Sequence, residues 1–299
     1  MSALLNAIPG AVAQGLIWGI MAIGVYITYK ILDLADLTVD GSMVTGMAVC
    51  AMLMANGWNV WPAMLMAFLA GMVAGLVTGI FHTAMGIPAI LSGILTQLML
   101  WSVNLKIMGK ANQALPARTF AVLITQLRKY EALLILLAFC VVLIAILYWF
   151  FGTQFGSAIR ATGCNEKMAR AQGIDTNFNK CIGLILSNGI VAFSGALLAQ
   201  YSGKADINDG RGAIVIGLAA VIIGDALVSR FKANFMVRLL GVVLGGVVYY
   251  IVYQVVIFLG LDTDLLKMLS AIVVAVFLAV PYLKKKYFSH PVKKHKEAA

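Results

Sequence analysis

The residues best suited to chemistry lie together in one polar stretch of an otherwise apolar chain, FGSAIRATGCNEKMARAQGI, from Phe155 to Ile174. Gly163 and Gly173 frame a predicted helix, residues 165–172, and are expected to allow a sharp turn at each end. These residue types are suited to recognition of a partner surface. The small residues Ala161, Ala169 and Ala171 allow close docking, and the basic residues Arg160, Lys167 and Arg170 can contact an acidic rim. An ordinary basic loop that only sets membrane topology remains an equal alternative.

Catalytic motifs are absent from the sequence. There is no GxxxxGK[ST] phosphate loop, because Gly203-Lys204 is followed by Ala205 and lacks the upstream glycine. Neither HExxH nor GxSxG occurs, and the three histidines are scattered. The four cysteines form no CxxC pair, so neither a zinc site nor a disulfide framework is indicated. We therefore expect no enzyme active site, no metal site and no cofactor in this chain.

The elements that must position the polar stretch are membrane spans. Of 299 residues, 62% are hydrophobic and only 11% are charged, which is typical of an all-α, polytopic membrane protein. The N-terminus has no basic region and no cleavage site, so the first span is expected to be retained. The net charge of +10 is concentrated at span ends and in the tail, which indicates membrane orientation and not nucleic-acid binding.

Eight or nine apolar runs are long enough to cross a bilayer, for which about 20 residues are needed. The second and seventh runs are short. The predicted spans are 10–29, 38–55, 60–82, 88–108, 131–151, 181–201, 212–229, 236–259 and 264–283.

Basic residues orient the chain. Placing the 152–180 loop, the 229–238 loop, Lys30 and the tail (284–299) on the cytoplasmic side puts 14 of the 22 Lys/Arg inside. The 103–130 segment keeps five Lys/Arg residues on the outside, so we expect it to fold back as a partly inserted hairpin.

The six lysines of the tail predict a solvated anchor near anionic lipid.

Two acidic turns are similar, Ala35-Asp-Leu-Thr-Val-Asp-Gly41 and Ala205-Asp-Ile-Asn-Asp-Gly210. Each joins two apolar spans, and the topology places them on opposite faces of the membrane. This pattern predicts an inverted repeat of the kind that places a transport pathway between two halves; because the match is short, chance similarity stays open. Their aspartates are expected to shape turns or cap helices. Asp225 is expected to pair with Arg230.

Polar residues stranded in apolar spans are candidates for a substrate pathway, with interhelical hydrogen bonding as the alternative for each. They are Ser42, Thr45, Ser92, Gln97 and Asn104. Small residues recur every fourth position, at Gly71, Gly75 and Gly79 and at Gly241 and Gly245. This spacing predicts close helix packing within the chain, with a subunit interface as the alternative.

The polar stretch resembles the cytoplasmic coupling segment of ABC-importer permeases of the branched-chain amino acid and ribose type. The residues that carry the match are Gly156, Ala158, Ile159, Arg160, Ala161, Gly163, Asn165, Ala169, Gly173 and Ile174, with Met168 in place of a family alanine. The resemblance implies that residues 155–180, the coupling segment, contact an ATPase. The ATPase-coupling residues are then Arg160, Ala161, Gly163, Asn165, Glu166, Met168, Ala169, Arg170, Gly173 and Ile174.

Further stretches resemble the same family, and together they cover most of residues 10–283. They are Ile31-Leu-Asp-Leu-Ala-Asp36, with Asp33 in place of the usual asparagine, Phe193-Ser-Gly-Ala-Leu-Leu198, and Gly217-Leu-Ala-Ala-Val-Ile-Ile-Gly224. Asn104-Leu-Lys-Ile-Met-Gly109 with Asn112 is similar to the tryptophan/tyrosine-type permeases of Gram-positive bacteria.

The resemblance implies a permease domain, residues 1–283, with a basic cytoplasmic tail, 284–299, in a bacterial plasma membrane. It implies import of a small solute, an amino acid with aromatic ones favoured, by alternating access. The implied partners are cytoplasmic ATPase subunits that bind ATP and Mg²⁺, an extracellular solute-binding lipoprotein and a second copy of the permease. A secondary transporter driven by an ion gradient is the alternative, and a non-transporting membrane scaffold is a third class.

Overall fold

The computed structural model describes residues 2–115, 120, 122–228 and 234–258, with 268, 271–272, 275–276 and 279 beyond them. Its first half contains α1 (Ser2–Tyr26), a π-helical turn (Ile27–Ile31), α2 (Val39–Ala55), α3 (Val60–Thr83), α4 (Ala89–Met108) and strand β1 (Asn112–Ala114). A 3-10 turn (Gln126–Arg128), α5 (Lys129–Gly152), α6 (Gln154–Cys164) and α7 (Glu166–Ala171) follow. The described chain continues with α8 (Thr176–Ser202), β2 (Lys204–Asp206), α9 (Ala213–Val228) and α10 (Phe235–Phe258).

Among the described residues, six helices are long and apolar enough to cross a membrane. They are Ala7–Ile31, Val60–Thr83, Ala89–Met108, Gln126–Gly152, Thr176–Ser202 and Phe235–Phe258. The second and seventh predicted spans form the shorter apolar helices Val39–Ala55 and Ala213–Val228. The polytopic helical architecture is confirmed, while most of the predicted ninth span, 264–283, lies outside the described residues.

A small antiparallel sheet is the one departure from an all-helical fold in the described part of the chain. Strand β1 pairs with β2 so that Gln113 faces Ala205. Residues 103–108 of the 103–130 segment thus complete α4, and β1 then fastens the segment to the turn after α8. No helical hairpin forms in the described residues of that segment. The left-handed Gly109 ends α4 and redirects the chain toward this strand.

Helix α8 is the centre of the bundle and packs against α1, α2 and α3. Its neighbours approach so closely that only glycine fits at the crossings. Gly71 of α3 and Gly46 of α2 both lie against Ala192, while Gly75 and Gly79 lie against Leu184 and Cys181. Gly241 and Gly245 of α10 lie against α9 in the same way. The prediction that the small-residue spacing serves packing within the chain is confirmed.

The two acidic turns approach each other inside the bundle. Helices α1 and α8 run antiparallel, because the Tyr201 hydroxyl donates to the Gly10 carbonyl near one end and Ser187 donates to Gly24 near the other. The turn after α1 and the turn after α8 thus start at opposite ends. Both then fold inward, and Gly210 lies against the Asp40 backbone. The two turns therefore start at opposite ends of the bundle and meet inside it, and their placement on opposite membrane faces stays a prediction.

The outer surface of the bundle is apolar. Large side chains are more than half exposed on α3, α4 and α5, among them Leu65, Val73, Leu98, Val142 and Trp149. Exposed apolar area of this extent is what a lipid environment accommodates. These three helices form the periphery, while α1 and α8 form the core.

Candidate functional sites

The first candidate site is the coupling segment, which lies on one end of the bundle, hereafter the coupling face. The predicted helix 165–172 corresponds to α7 with its two caps. The Asn165 side chain accepts a hydrogen bond from the Met168 N–H at 3.1 Å, which satisfies the first turn. Gln172 ends the helix, and Gly173 follows with φ +79°. Residues 154–164 form a second helix, α6, that sequence reasoning did not predict.

Glu166 holds α7 to the start of α8. Its carboxylate lies 2.8 Å from Lys180 Nζ and 2.6 Å from an Arg170 guanidinium nitrogen, and the Thr176 hydroxyl donates to it at 3.3 Å. Arg170 Nε also donates to the Thr176 hydroxyl at 2.8 Å. The Lys180 hydrogen bond, helped by the charges of Lys180 and Arg170, lowers the pKa of Glu166. We call these four residues the Glu166 cluster.

Gly163 has a role different from the one predicted. It lies inside α6, and a side chain there would meet the Ile31 carbonyl and the Leu32 backbone. The expectation that Gly163 forms a turn is therefore wrong: it lets α6 contact the end of the π-helical turn that follows α1. The prediction that Gly173 allows a sharp turn is confirmed by its left-handed φ.

Asp33 also has a left-handed backbone, at φ +55°. Aspartate and asparagine tolerate this conformation better than most residues.

The exposed surface of the segment contains some of the predicted docking residues, Lys167 and Ala171 among them, but not Ala169. Ala169 is 4% exposed and packs inward, so it cannot form a docking surface, and Arg160 lies over the Phe235 ring at 5.5 Å. Arg170 is engaged by Glu166. Lys167 points outward as predicted, and Met168, which is 63% exposed, lies beside it on the surface.

The second candidate site is a buried polar cluster between the central helices. Asn188 of α8 donates to Asp36 at 2.7 Å and accepts from Ser42 at 2.6 Å. Asp36 also accepts from the Thr38 N–H at 2.9 Å. Sequence reasoning missed Asn188, although an asparagine in the middle of an apolar run was a usable signal. Each partner of this cluster is satisfied within the chain.

The other predicted pathway residues divide into two groups. Thr45 donates to the Gly41 carbonyl and Ser92 to the Ala89 carbonyl, each within its own helix, and their place in a pathway stays a prediction. Gln97 and Asn104 line a small cavity with Asp40, Trp101 and Arg211. The structure thus brings Gln97 and Asn104 together and leaves Ser42 in the buried polar cluster.

Asp40 connects the two halves of the chain. Its carboxylate accepts hydrogen bonds from the backbone N–H groups of Gly212 at 2.9 Å and Ile214 at 2.8 Å, at the start of α9. The prediction that the aspartates of the two turns shape turns or cap helices is confirmed for Asp40.

Asp225 forms an ion pair with Lys30 at 2.9 Å. Its predicted partner, Arg230, lies outside the described residues.

Comparison with known sequences places the chain. Residues 8–280 match the family described as "Branched-chain amino acid transport system / permease component". The chain belongs to this family. It is 39% identical, over 92% of its length and 91% of the other protein, to a "Tyrosine transport system permease protein" of Clostridioides difficile. It is 32% identical to an uncharacterised protein of Rickettsia prowazekii, over 92% of this chain and 98% of that one.

A solved structure shares the fold of this permease. It is "PsaBC from Streptococcus pneumoniae in complex with Fab", with a TM-score of 0.51, 15% identity and 94% of both chains covered. Together the family match and the fold identify the permease as the transmembrane, non-enzymatic subunit of an ABC-type importer. This decides between the predicted alternatives in favour of the importer, against the ion-gradient transporter and the scaffold.

Proposed function

We propose that this permease imports an aromatic amino acid, with tyrosine as the first candidate. The tyrosine transport system permease of Clostridioides difficile, aligned with nearly the whole chain, supports this assignment. The proposal includes a permease homodimer, two cytoplasmic ATPase subunits that bind ATP and Mg²⁺, and an extracellular solute-binding lipoprotein. It also places the coupling face in the cytoplasm of a bacterial cell.

The observation that carries the coupling proposal is the rigid attachment of α6 and α7 to two core helices. The Glu166 cluster joins α7 to α8, and Gly163 places α6 against the end of the π-helical turn that continues α1. In this proposal Met168 docks in a groove of the ATPase, with Lys167 toward its acidic rim. Movement of the ATPase then shifts α8 and the π-helical turn of α1, as well as α5. Such π-helical turns often occur at functional sites.

The alternating-access path follows from the arrangement of the two halves. Helix α1 runs opposite to α8, and the short α2 runs opposite to the short α9. The two short helices begin close together inside the bundle. We propose that these helices are the corresponding parts of an inverted repeat. Discontinuous helices that begin near the middle of a membrane are typical of transport sites.

The test compares two methionines on the coupling face. Met168 and Met85 are 63% and 62% exposed, and Met85 lies in the α3–α4 connection on the same face. In proteoliposomes that contain the permease, its ATPases and its binding protein, Met168→Asp should lower tyrosine uptake at least tenfold. Met85→Asp should transport normally. Equal uptake by the two variants would refute docking through α7, and a wild-type complex that imports no aromatic amino acid would refute the substrate.

A further inference from the structure

A small cavity lies where the first turn of α2, the middle of α4 and the 207–211 turn meet. Its volume is about 30 Å³, and its polar lining comes from Asp40, Gln97, Asn104 and Arg211, with Trp101 beside them. Residues 97, 101 and 104 are one and two turns apart, so they share one face of α4. The cavity therefore collects polar groups from both halves of the chain at the point where they meet.

Asn104 carries an unpaired acceptor in this cavity. The residue is 1% exposed, and its Nδ2 donates to the Gly41 carbonyl at 3.4 Å. Because that carbonyl can only accept, the amide orientation is fixed and the Oδ1 atom faces away from it. Oδ1 has no hydrogen-bond partner among the described residues. A buried unpaired acceptor costs about 1–3 kcal/mol, so it calls for a donor from outside the protein.

The charges around the cavity fit a zwitterion. Asp40 accepts only backbone N–H groups, and no lysine or arginine pairs with it in the part of the chain that the structure describes. Its carboxylate and Asn104 Oδ1 together suit an ammonium group, which offers three donors. The exposed Arg211 guanidinium lies 4.5 Å from the centre of the Trp101 ring and suits a carboxylate.

We propose that this cavity binds the ammonium and carboxylate head group of an amino acid during its passage through the permease. This inference rests on the proposed function and assigns the head-group site within it. A volume of about 30 Å³ exceeds the roughly 10–15 Å³ that one water needs, but it cannot hold a whole amino acid. The side chain of the passing molecule therefore stays outside, and the site recognises the class of substrate rather than its side chain.

Asn104→Leu tests the ammonium half of the site. The substitution removes the unpaired oxygen and keeps the residue's approximate size. It also removes the hydrogen bond to the Gly41 carbonyl, which still accepts from Thr45, so a purely structural asparagine would lose a little stability and no uptake in the folded variant. In proteoliposomes of the whole importer supplied with L-tyrosine, we expect at least tenfold lower uptake by the folded variant. Ser102→Leu introduces the same side chain on the exposed face of α4 and should transport normally.

Arg211→Gln tests the carboxylate half at an exposed position, where folding is not at stake. Uptake should fall several-fold and should recover in part in Arg211→Lys. Full uptake by Asn104→Leu and Arg211→Gln would mean that the cavity holds water only, and would overturn the inference while leaving the proposed function standing. If Asn104→Leu does not fold, full uptake by Arg211→Gln alone overturns it. A wild-type complex that imports no amino acid overturns the proposed function itself.

Discussion

Removing the charge of Glu166 should loosen α7 from α8 without unfolding the bundle. In Glu166→Gln the side chain keeps its shape but loses its ionic contacts with Lys180 and Arg170. The Arg170 contact is an exposed pair four residues away on one helix, worth about 0.3–0.5 kcal/mol. The Lys180 contact contributes more, about 1 kcal/mol after allowance for solvent screening, because the Lys180 side chain is only 13% exposed.

The resulting loss of about 1–2 kcal/mol corresponds to roughly a 5–30-fold shift in the local opening equilibrium. Hydrogen exchange measured by mass spectrometry, with the permease in nanodiscs, reports this opening directly. The relevant amides are those of Ala169, Gln172 and Ile174, which are hydrogen-bonded within or next to α7. We expect these amides to exchange faster by that factor in Glu166→Gln, while the amides of α8 beyond its first turns stay unchanged.

The matched control is Glu131→Gln, which removes an exposed ion pair with Arg128 at the start of α5. It should leave exchange in residues 165–175 unchanged. If Glu166→Gln exchanges there within twofold of the wild type, Glu166 does not hold α7 in place. The coupling route from α7 to α8 would then have to be abandoned.

Two further predictions follow from the same contacts. The ratio of the exchange rates of wild type and Glu166→Gln should be constant from pH 7 to pH 5 and should approach one in acid. The pKa of Glu166 is lowered, so the ionised carboxylate stabilises α7 at every pH above the ordinary carboxyl pKa of about 4.3. This stabilisation is lost as the pH falls through the lowered pKa. In the buried polar cluster, Asp36→Ala removes one of the two acceptors of the Asn188 amide, which keeps the Leu184 carbonyl, and the side-chain acceptor of the Thr38 N–H, so unfolding by SDS should show a loss of about 2–3 kcal/mol. Asp36→Asn should lose less, because one acceptor oxygen remains, and equal losses in the two variants would contradict that account.

The helical spans were predictable because a membrane demands about 20 apolar residues in a row, a pattern that composition alone reveals. The small sheet was not, because β1 and β2 are three residues each and are separated by the whole of α5 to α8. Helix α6 was also missed. Its glycines, Gly156 and Gly163, suggest turns in a sequence, whereas in the structure they serve close contacts with Phe151 and Ile31.

The candidate sites were predictable in kind and less so in detail. The polarity of residues 155–174 was enough to identify a water-exposed helix, and the Asn165 cap followed from an asparagine preceding a helix-forming run. Which alanine faces inward could not be predicted, because the burial of Ala169 depends on how α7 lies against α8. The Asn188–Asp36 contact likewise depends on the register of two helices that are far apart in the sequence.

That contact also sets conditions on how the protein is made. Asp36 and Asn188 are separated by 152 residues, so the carboxyl group leaves the ribosome long before its partner. At a synthesis rate of roughly 5–20 residues per second, the interval is about 8–30 s. During that time Asp36 and Ser42 must be sheltered from lipid by water or by the insertion machinery. The N-terminal half of the bundle is therefore an incomplete folding unit, whose polar interior closes only when α8 is inserted.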